Sequence, residues 1–215
     1  MSGEMQQTAT TVVEIPLIDH TTDPVQSDDP MHDPSALAAD WLPTADEPRL
    51  LMTLSTIDSE GFPRSRTVML SEFDGESFFF HTDTQSQKVQ DLAQNSRVAL
   101  TVLWPGFTRQ LVVQGTASIA PAAEVSDAYE KRSPYLQQLA WLNTTEYARM
   151  PLATRVSEWA HYAERVPAPQ QPQGWVGYAV KPHRMLFWVS HPNAASRRVE
   201  YTRNGSEWEH QYLPG

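Results

Sequence analysis

Two clusters of side chains in this sequence have the types and spacing to do chemistry. Arg64-Ser65-Arg66 carries two guanidinium groups two residues apart, and alternate side chains of a strand share a face. Downstream, His81-Thr82-Asp83-Thr84-Gln85-Ser86-Gln87-Lys88 leads from an apolar strand pattern into a helical one. A helix start offers N–H donors that lack intrahelical partners, together with the positive end of the macrodipole. Hydroxyls at Thr82, Thr84 and Ser86 and the Lys88 ammonium complete what reads as a phosphate cradle. The same residues also read as an ordinary helix start with surface charge, so the rest of the chain must decide.

Other chemistries find no support. The chain has no cysteine, which excludes disulfides, thiolate-bound metals and cysteine nucleophiles. His20, His32, His81, His161, His183, His191 and His210 show no metal-ligand spacing. G-x-S-x-G, G-x-G-x-x-G and the Walker pattern are all missing. The 215 residues, 40% of them hydrophobic, suit one domain with a tail. The formal charge is -10, and ten of the 26 acids precede Arg49, the first basic residue. The remaining 16 acids match the 16 basic residues, so bulk charge does not favour nucleic acid. No apolar run reaches the roughly 20 residues of a membrane span, and no basic residue precedes an apolar N-terminal stretch. A cytoplasmic protein without membrane contact is expected.

The elements that must position the clusters follow from the pattern. Residues 1–32, acidic and broken by Pro16, Pro24 and Pro30, are expected to form a flexible arm with one apolar stretch, Val12 to Ile18. Residues 33–215 form the domain. Asp33-Pro34 starts a helix that ends near Pro43. Strands are predicted over 50–57, 64–73, 77–81, 98–104 and 109–119, with a short helix over 86–95. Helices are predicted across 121–166, with Trp141, Leu142, Val156 and Trp159 as core. An extended linker at 167–174 precedes strands over 175–180, 185–189 and 199–201, and Asn204-Gly205 turns into a last strand over 207–213. This is a mainly β, α+β pattern: an antiparallel barrel or strongly curved sheet with helical decoration.

Read together, these segments resemble the pyridoxamine 5′-phosphate oxidase family of FMN-binding split β-barrels. The resemblance rests on Arg66-Thr-Val-Met-Leu70, Phe80-His81-Thr82, Ser86-Gln-Lys88, Trp104, Arg109-Gln110, Phe187-Trp188 and Arg198, in that order. It covers about residues 34–214 and implies FMN as cofactor, a homodimer with the flavin at the subunit interface, and oxidase activity. Carried over residue by residue, it places Arg66, Ser86, Gln87 and Lys88 at the FMN phosphate. The backbone of Thr67, Val68, Met69 and Leu70 would line the flavin ring, with Ser71, His81 and Thr82 also at the cofactor. Gln110 would reach its polar edges, while Trp188 and Arg198 would approach from the second subunit.

Departures from the family pattern point to a different substrate. The lysine that ends the R-x-V-L-L-K strand is Ser71 here, the arginine of S-R-K is Gln87, and R-L-H reads Ala194-Ala195-Ser196. Tyr129, Arg132 and Ser196 are the candidate substrate contacts, and His81 is the only candidate for acid–base work. The run His81 to Lys88 and the ending Trp208 to Pro214 look more like the phenazine-biosynthesis branch. The expectation is therefore an FMN-dependent oxidase of a small aromatic or heterocyclic metabolite, with O2 as acceptor. Two alternatives stand beside it: a pyridoxamine or pyridoxine 5′-phosphate oxidase, and a non-catalytic flavin-binding protein.

Overall fold

The computed structural model describes residues 19–43, 50–104, 106 and 108–215. Among them, nine strands form one antiparallel sheet. In chain order the elements are α1 (Pro34–Trp41), β1 (Leu51–Ile57), β2 (Pro63–Met69), β3 (Glu72–Phe73), β4 (Phe78–Asp83), α2 (Gln87–Gln94), β5 (Arg97–Leu103) and β6 (Arg109–Ile119). There follow α3 (Ala122–Glu130), α4 (Pro134–Leu142), α5 (Thr145–Arg149), α6 (Leu152–Arg165), β7 (Trp175–Val189), β8 (Arg197–Asn204) and β9 (Glu207–Pro214).

The strand order β2-β1-β5-β6-β7-β4-β3 puts β2 and β3 at opposite ends of the path. Only Leu70 and Ser71 separate these two strands in sequence, so the sheet has to curl until its ends meet. The two linking residues close the seam. Leu70 N–H donates to Leu50 O at 2.9 Å on one side, and Ser71 N–H donates to Phe79 O at 2.8 Å on the other. The expected strand over 64–73 is therefore two strands, broken where the chain steps across the barrel. β7 shows the reverse difference, since the two strands expected at 175–180 and 185–189 are one. Its first half pairs with β4 and its second half with β8. The irregularity that suggested a break is absorbed by a register shift at Gln114/Gly115 of β6.

Alternation along the strands fills the interior. Leu54, Leu100, Leu111, Val113, Met185, Phe187, Val199 and Tyr201 are fully buried. A smaller cluster of Phe79, Ala120, Val125, Tyr129 and Trp175 lies under α3. The helical segment departs from expectation: Trp141 and Val156 are 42% and 62% exposed, and α6 buries no residue. α4 and α6 pack on each other, so their apolar residues meet across a groove outside the barrel interior.

Residues 19–32 also differ from the expected flexible arm, because they pack on the barrel. Val25 is fully buried, and Asp23 caps the short 3-10 helix Pro24–Gln26. Asp23 pairs with Arg109 at 2.6 Å, Tyr201 Oη donates to Met31 O, and Arg197 donates to the carbonyls of Val25, Gln26 and Ser27. An apolar side chain and a set of matched partners outweigh the acidic, proline-broken composition. The apolar stretch Val12 to Ile18 lies outside the described residues. No described helix is long and apolar enough to cross a membrane.

Candidate functional site

The seam between β2 and β4 opens into a cleft of about 380 Å³, within the range of about 300–1,000 Å³ typical of small-molecule sites. Nine of the residues singled out by sequence line it: Thr67, Val68, Met69, Ser71, His81, Thr82, Ser86, Lys88 and Arg132. They come together because β2 is a sheet end beside the seam, β4 leads directly into α2, and the loop after α3 carries Arg132 over the opening.

The α2 start has the character of an anion site. Ser86 occupies the N-cap position, but its side chain makes no capping bond; its hydroxyl lies 3.2 Å from Thr82 Oγ1 instead. Lys88 Nζ donates to Thr82 Oγ1 at 2.9 Å. Burial, and then the nearby Arg66 charge, hold the Lys88 ammonium below the usual lysine range. Two cations beside a helix N-terminus are a fitting environment for a phosphate dianion.

Arg66 itself stands behind the cleft lining, committed to other partners. Its guanidinium donates to Thr56 Oγ1 at 2.7 Å and to Asp91 Oδ2 at 3.3 Å. Arg64 shares that face, as its spacing predicts, and reaches Asp91 Oδ1 at 3.3 Å. Asp91 is 2% exposed. Burial pushes its carboxyl up, but bonds from Thr56 and Gln87 and the charges of Arg64 and Arg66 outweigh this and hold it below the usual range. The arginine pair thus organises a buried carboxylate that joins α2 to the β1–β2 hairpin. Asp91 and Thr56 were not legible as site residues, since 35 positions separate them.

Several predicted residues lie elsewhere. Leu70 is core, and Gln87 points to Gln90 and Asp91. Tyr129, expected at the substrate, is 3% exposed and donates to the carbonyls of Pro169 and Gln170, pinning the expected linker to α3. Ser196 lies against the C-terminal Gly215. Gln110, Trp188 and Arg198 are register partners across β6, β7 and β8 and form one row, outside the lining of this chain's cleft. Arg198 Nε is buried without a hydrogen-bond partner there. The adjacent row of Arg109, Val189 and Arg197 alternates to the other face, where both arginines bind residues 23–28.

Next to Thr82 on β4, His81 turns to the other face of the strand, and its imidazole is 1% exposed. It stacks on Trp175 at 5.5 Å, and the Arg132 guanidinium lies 4.3 Å from the Trp175 ring centroid. Nδ1 lies 2.8 Å from Ser71 Oγ, and Nε2 lies 3.3 Å from Glu124 Oε2. Burial and the Arg132 charge push His81 down to about 4. Glu124 is pushed up to about 7 by burial and by Glu72, Asp127 and Asp74, against the opposing pull of Lys131. Sequence reasoning found Ser71 and His81 but missed Glu124 and Trp175.

A curled antiparallel barrel with a phosphate-type cradle on its seam has the architecture expected of a split barrel that holds a phosphorylated cofactor. Comparison with known proteins agrees. Residues 47–188 match the family model described as pyridoxamine 5′-phosphate oxidase, and residues 175–214 match the pyridoxine 5′-phosphate oxidase C-terminal dimerisation region. A pyridoxine/pyridoxamine 5′-phosphate oxidase of Caulobacter vibrioides is 33% identical over 184 residues, 82% of each chain. One of Ralstonia pickettii is 37% identical over 155 residues, covering 71% of this chain and 73% of the relative. Among solved structures, PhzG from Burkholderia lata 383, in complex with tetrahydrophenazine-1-carboxylic acid, superposes with a TM-score of 0.76. It is 26% identical, and the match covers 87% of this chain and 95% of PhzG. The chain belongs to the pyridoxamine 5′-phosphate oxidase family, near its phenazine branch. It is an FMN-dependent oxidase, and its C-terminal dimerisation region supports a homodimer.

Proposed function

We propose that this protein oxidises a reduced aromatic or heterocyclic ring of the phenazine type, with O2 as the final acceptor. The observation that carries this reading is the cleft lining beyond the phosphate cradle. Among the described residues lining the cleft, Arg132 is the one cation besides Lys88, and it is spread over Trp175. Ser71 and a neutral His81 add no positive charge, and Leu136, Leu139, Ala140 and Asn143 complete the lining there. A second phosphate would miss the charge-assisted contacts, each worth about 1.5–3 kcal/mol, whereas a flat ring can stack.

In this reading Lys88, Thr82, Ser86 and the first turn of α2 hold the FMN phosphate, backed by Arg66. The edge of β2 from Thr67 to Met69 runs along the ring, and Gln110, Trp188 and Arg198 come from the second subunit. The bound flavin supplies a hydride acceptor. Leu136 and Leu139 of α4 exclude water from the cleft, and Arg132, spread over Trp175, extends the stacking surface.

The names and identities of the relatives favour a second reading, oxidation of pyridoxine or pyridoxamine 5′-phosphate. Anaerobic mixing of FMN-loaded protein with each compound separates the two. Rapid bleaching by tetrahydrophenazine-1-carboxylic acid, and recolouring in air, is the expected result. Faster bleaching by pyridoxine 5′-phosphate would establish the second reading, and no bleaching by either would exclude both substrates.

A further inference from the structure

Ser71, His81 and Glu124 form a hydrogen-bonded chain leading from the cleft wall towards the surface. Ser71 lines the cleft, both imidazole nitrogens are engaged at 2.8 and 3.3 Å, and the Glu124 side chain is 18% exposed. The ring is fixed between its partners. Trp175 stacks on it with an interplanar angle of 8°, and Gly177, opposite it on β7, provides the space that Nε2 occupies.

We propose that Ser71, His81 and Glu124 are a proton relay for substrate oxidation, with Ser71 at the substrate and Glu124 as the terminal base. The proposal rests on the oxidase reading above. A ring with adjacent C–H and N–H bonds loses a hydride from carbon to the flavin, which is the oxidant. The nitrogen loses a proton to Ser71 Oγ. The serine O–H bond breaks as His81 Nδ1–H forms, and Nε2–H breaks as the Glu124 O–H forms. Serine ends as a hydroxyl, the imidazole as its other neutral tautomer, and the carboxylate as a carboxylic acid.

No imidazolium arises at any step, which suits a ring that burial and Arg132 keep neutral. Glu124 faces Glu72 of β3, Asp74 of the β3–β4 turn, and Asp127 and Lys131 around the end of α3. With burial, these leave it at about 7, where a base is both ionised and strong enough to act near neutral pH. Its second oxygen, Oε1, is buried without a hydrogen-bond partner, an arrangement less costly for the protonated acid than for the carboxylate.

Nitrogen-15 NMR of histidine-labelled, FMN-loaded protein tests the relay without any substrate. His81 should remain neutral from about pH 5 to about pH 8, across the range where an ordinary histidine titrates. Its tautomer should switch near the Glu124 value of about 7, and Glu124→Gln should abolish the switch. A His81 that becomes cationic near 6.5, or whose tautomer ignores Glu124→Gln, overturns the proposal. In stopped-flow reduction by tetrahydrophenazine-1-carboxylic acid, Ser71→Ala and Glu124→Gln should each slow flavin bleaching by about 10²–10⁴-fold. Glu124→Gln should also remove the limb near neutral pH, and Ser71→Thr should restore much of the rate. Wild-type protein that this acid does not bleach defeats the functional reading, while the NMR result still decides the relay.

Discussion

Gly177 lies directly across the β4–β7 ladder from His81, and a Cβ there would stand 2.8 Å from Nε2 and 2.9 Å from Val125 Cγ2. The missing side chain is what lets the imidazole sit flat on Trp175 and face Glu124. Gly177→Ala should therefore push the ring out of line, at a stability cost of about 1–3 kcal/mol for overpacking. Thermal melting measures the cost, and the histidine NMR signature reports the displaced ring. An unchanged melting temperature and spectrum would show that the ring is not held there.

The pair should also leave a trace in stability against pH. Glu124, raised from 4.5 to about 7, binds its proton more tightly when folded, so its contribution is lost as pH rises through that window. His81, lowered from 6.5 to about 4, does the opposite, and its contribution is lost as pH falls towards 4. The two slopes oppose each other between 4.5 and 6.5. Urea unfolding should therefore show a shallow profile in the wild type. Glu124→Gln should gain stability with rising pH over this range, and His81→Gln should lose it. Parallel profiles for all three proteins would contradict this.

Lys88 and Arg66 should separate by phenotype, although both lie near the cradle. Lys88→Met removes a charge whose side chain bonds to Thr82. It should weaken FMN binding by about 1.5–3 kcal/mol with little change in melting temperature. Arg66→Met also strips a partner from buried Asp91 and should cost about 1–3 kcal/mol of stability. Flavin fluorescence titration and calorimetry measure the two effects. Equal melting temperatures would deny Arg66 its structural part.

Complementation tests the row of Gln110, Trp188 and Arg198. If these residues serve the second subunit's flavin, Lys88→Met and Arg198→Met proteins should each bind FMN weakly as homodimers. Mixed dimers, formed by refolding the two together, should recover one tight site per dimer. Titration that finds no tight site in the mixture would confine the flavin to one chain.

Local pattern made much of this protein legible in sequence. Strand alternation, the Asp33-Pro34 helix start and the Asn204-Gly205 turn are encoded by neighbouring residues, and the structure keeps all three. The Ser86–Lys88 helix start was legible for the same reason, because its donors and charge lie within one turn. Tertiary structure decided what depends on distant partners. Leu70 and Ser71 look like the middle of a strand until the curled sheet makes them its seam. Residues 19–32 read as a polar arm until Arg109 and Arg197 meet them. Glu124 reads as one more surface acid on α3, and only the packing of that helix over β7, the strand paired with β4, brings it to His81. Hydrogen bonds and burial act over a few ångströms in space with no regard for sequence separation, so a pattern of neighbours could nominate His81 but could not supply its partner.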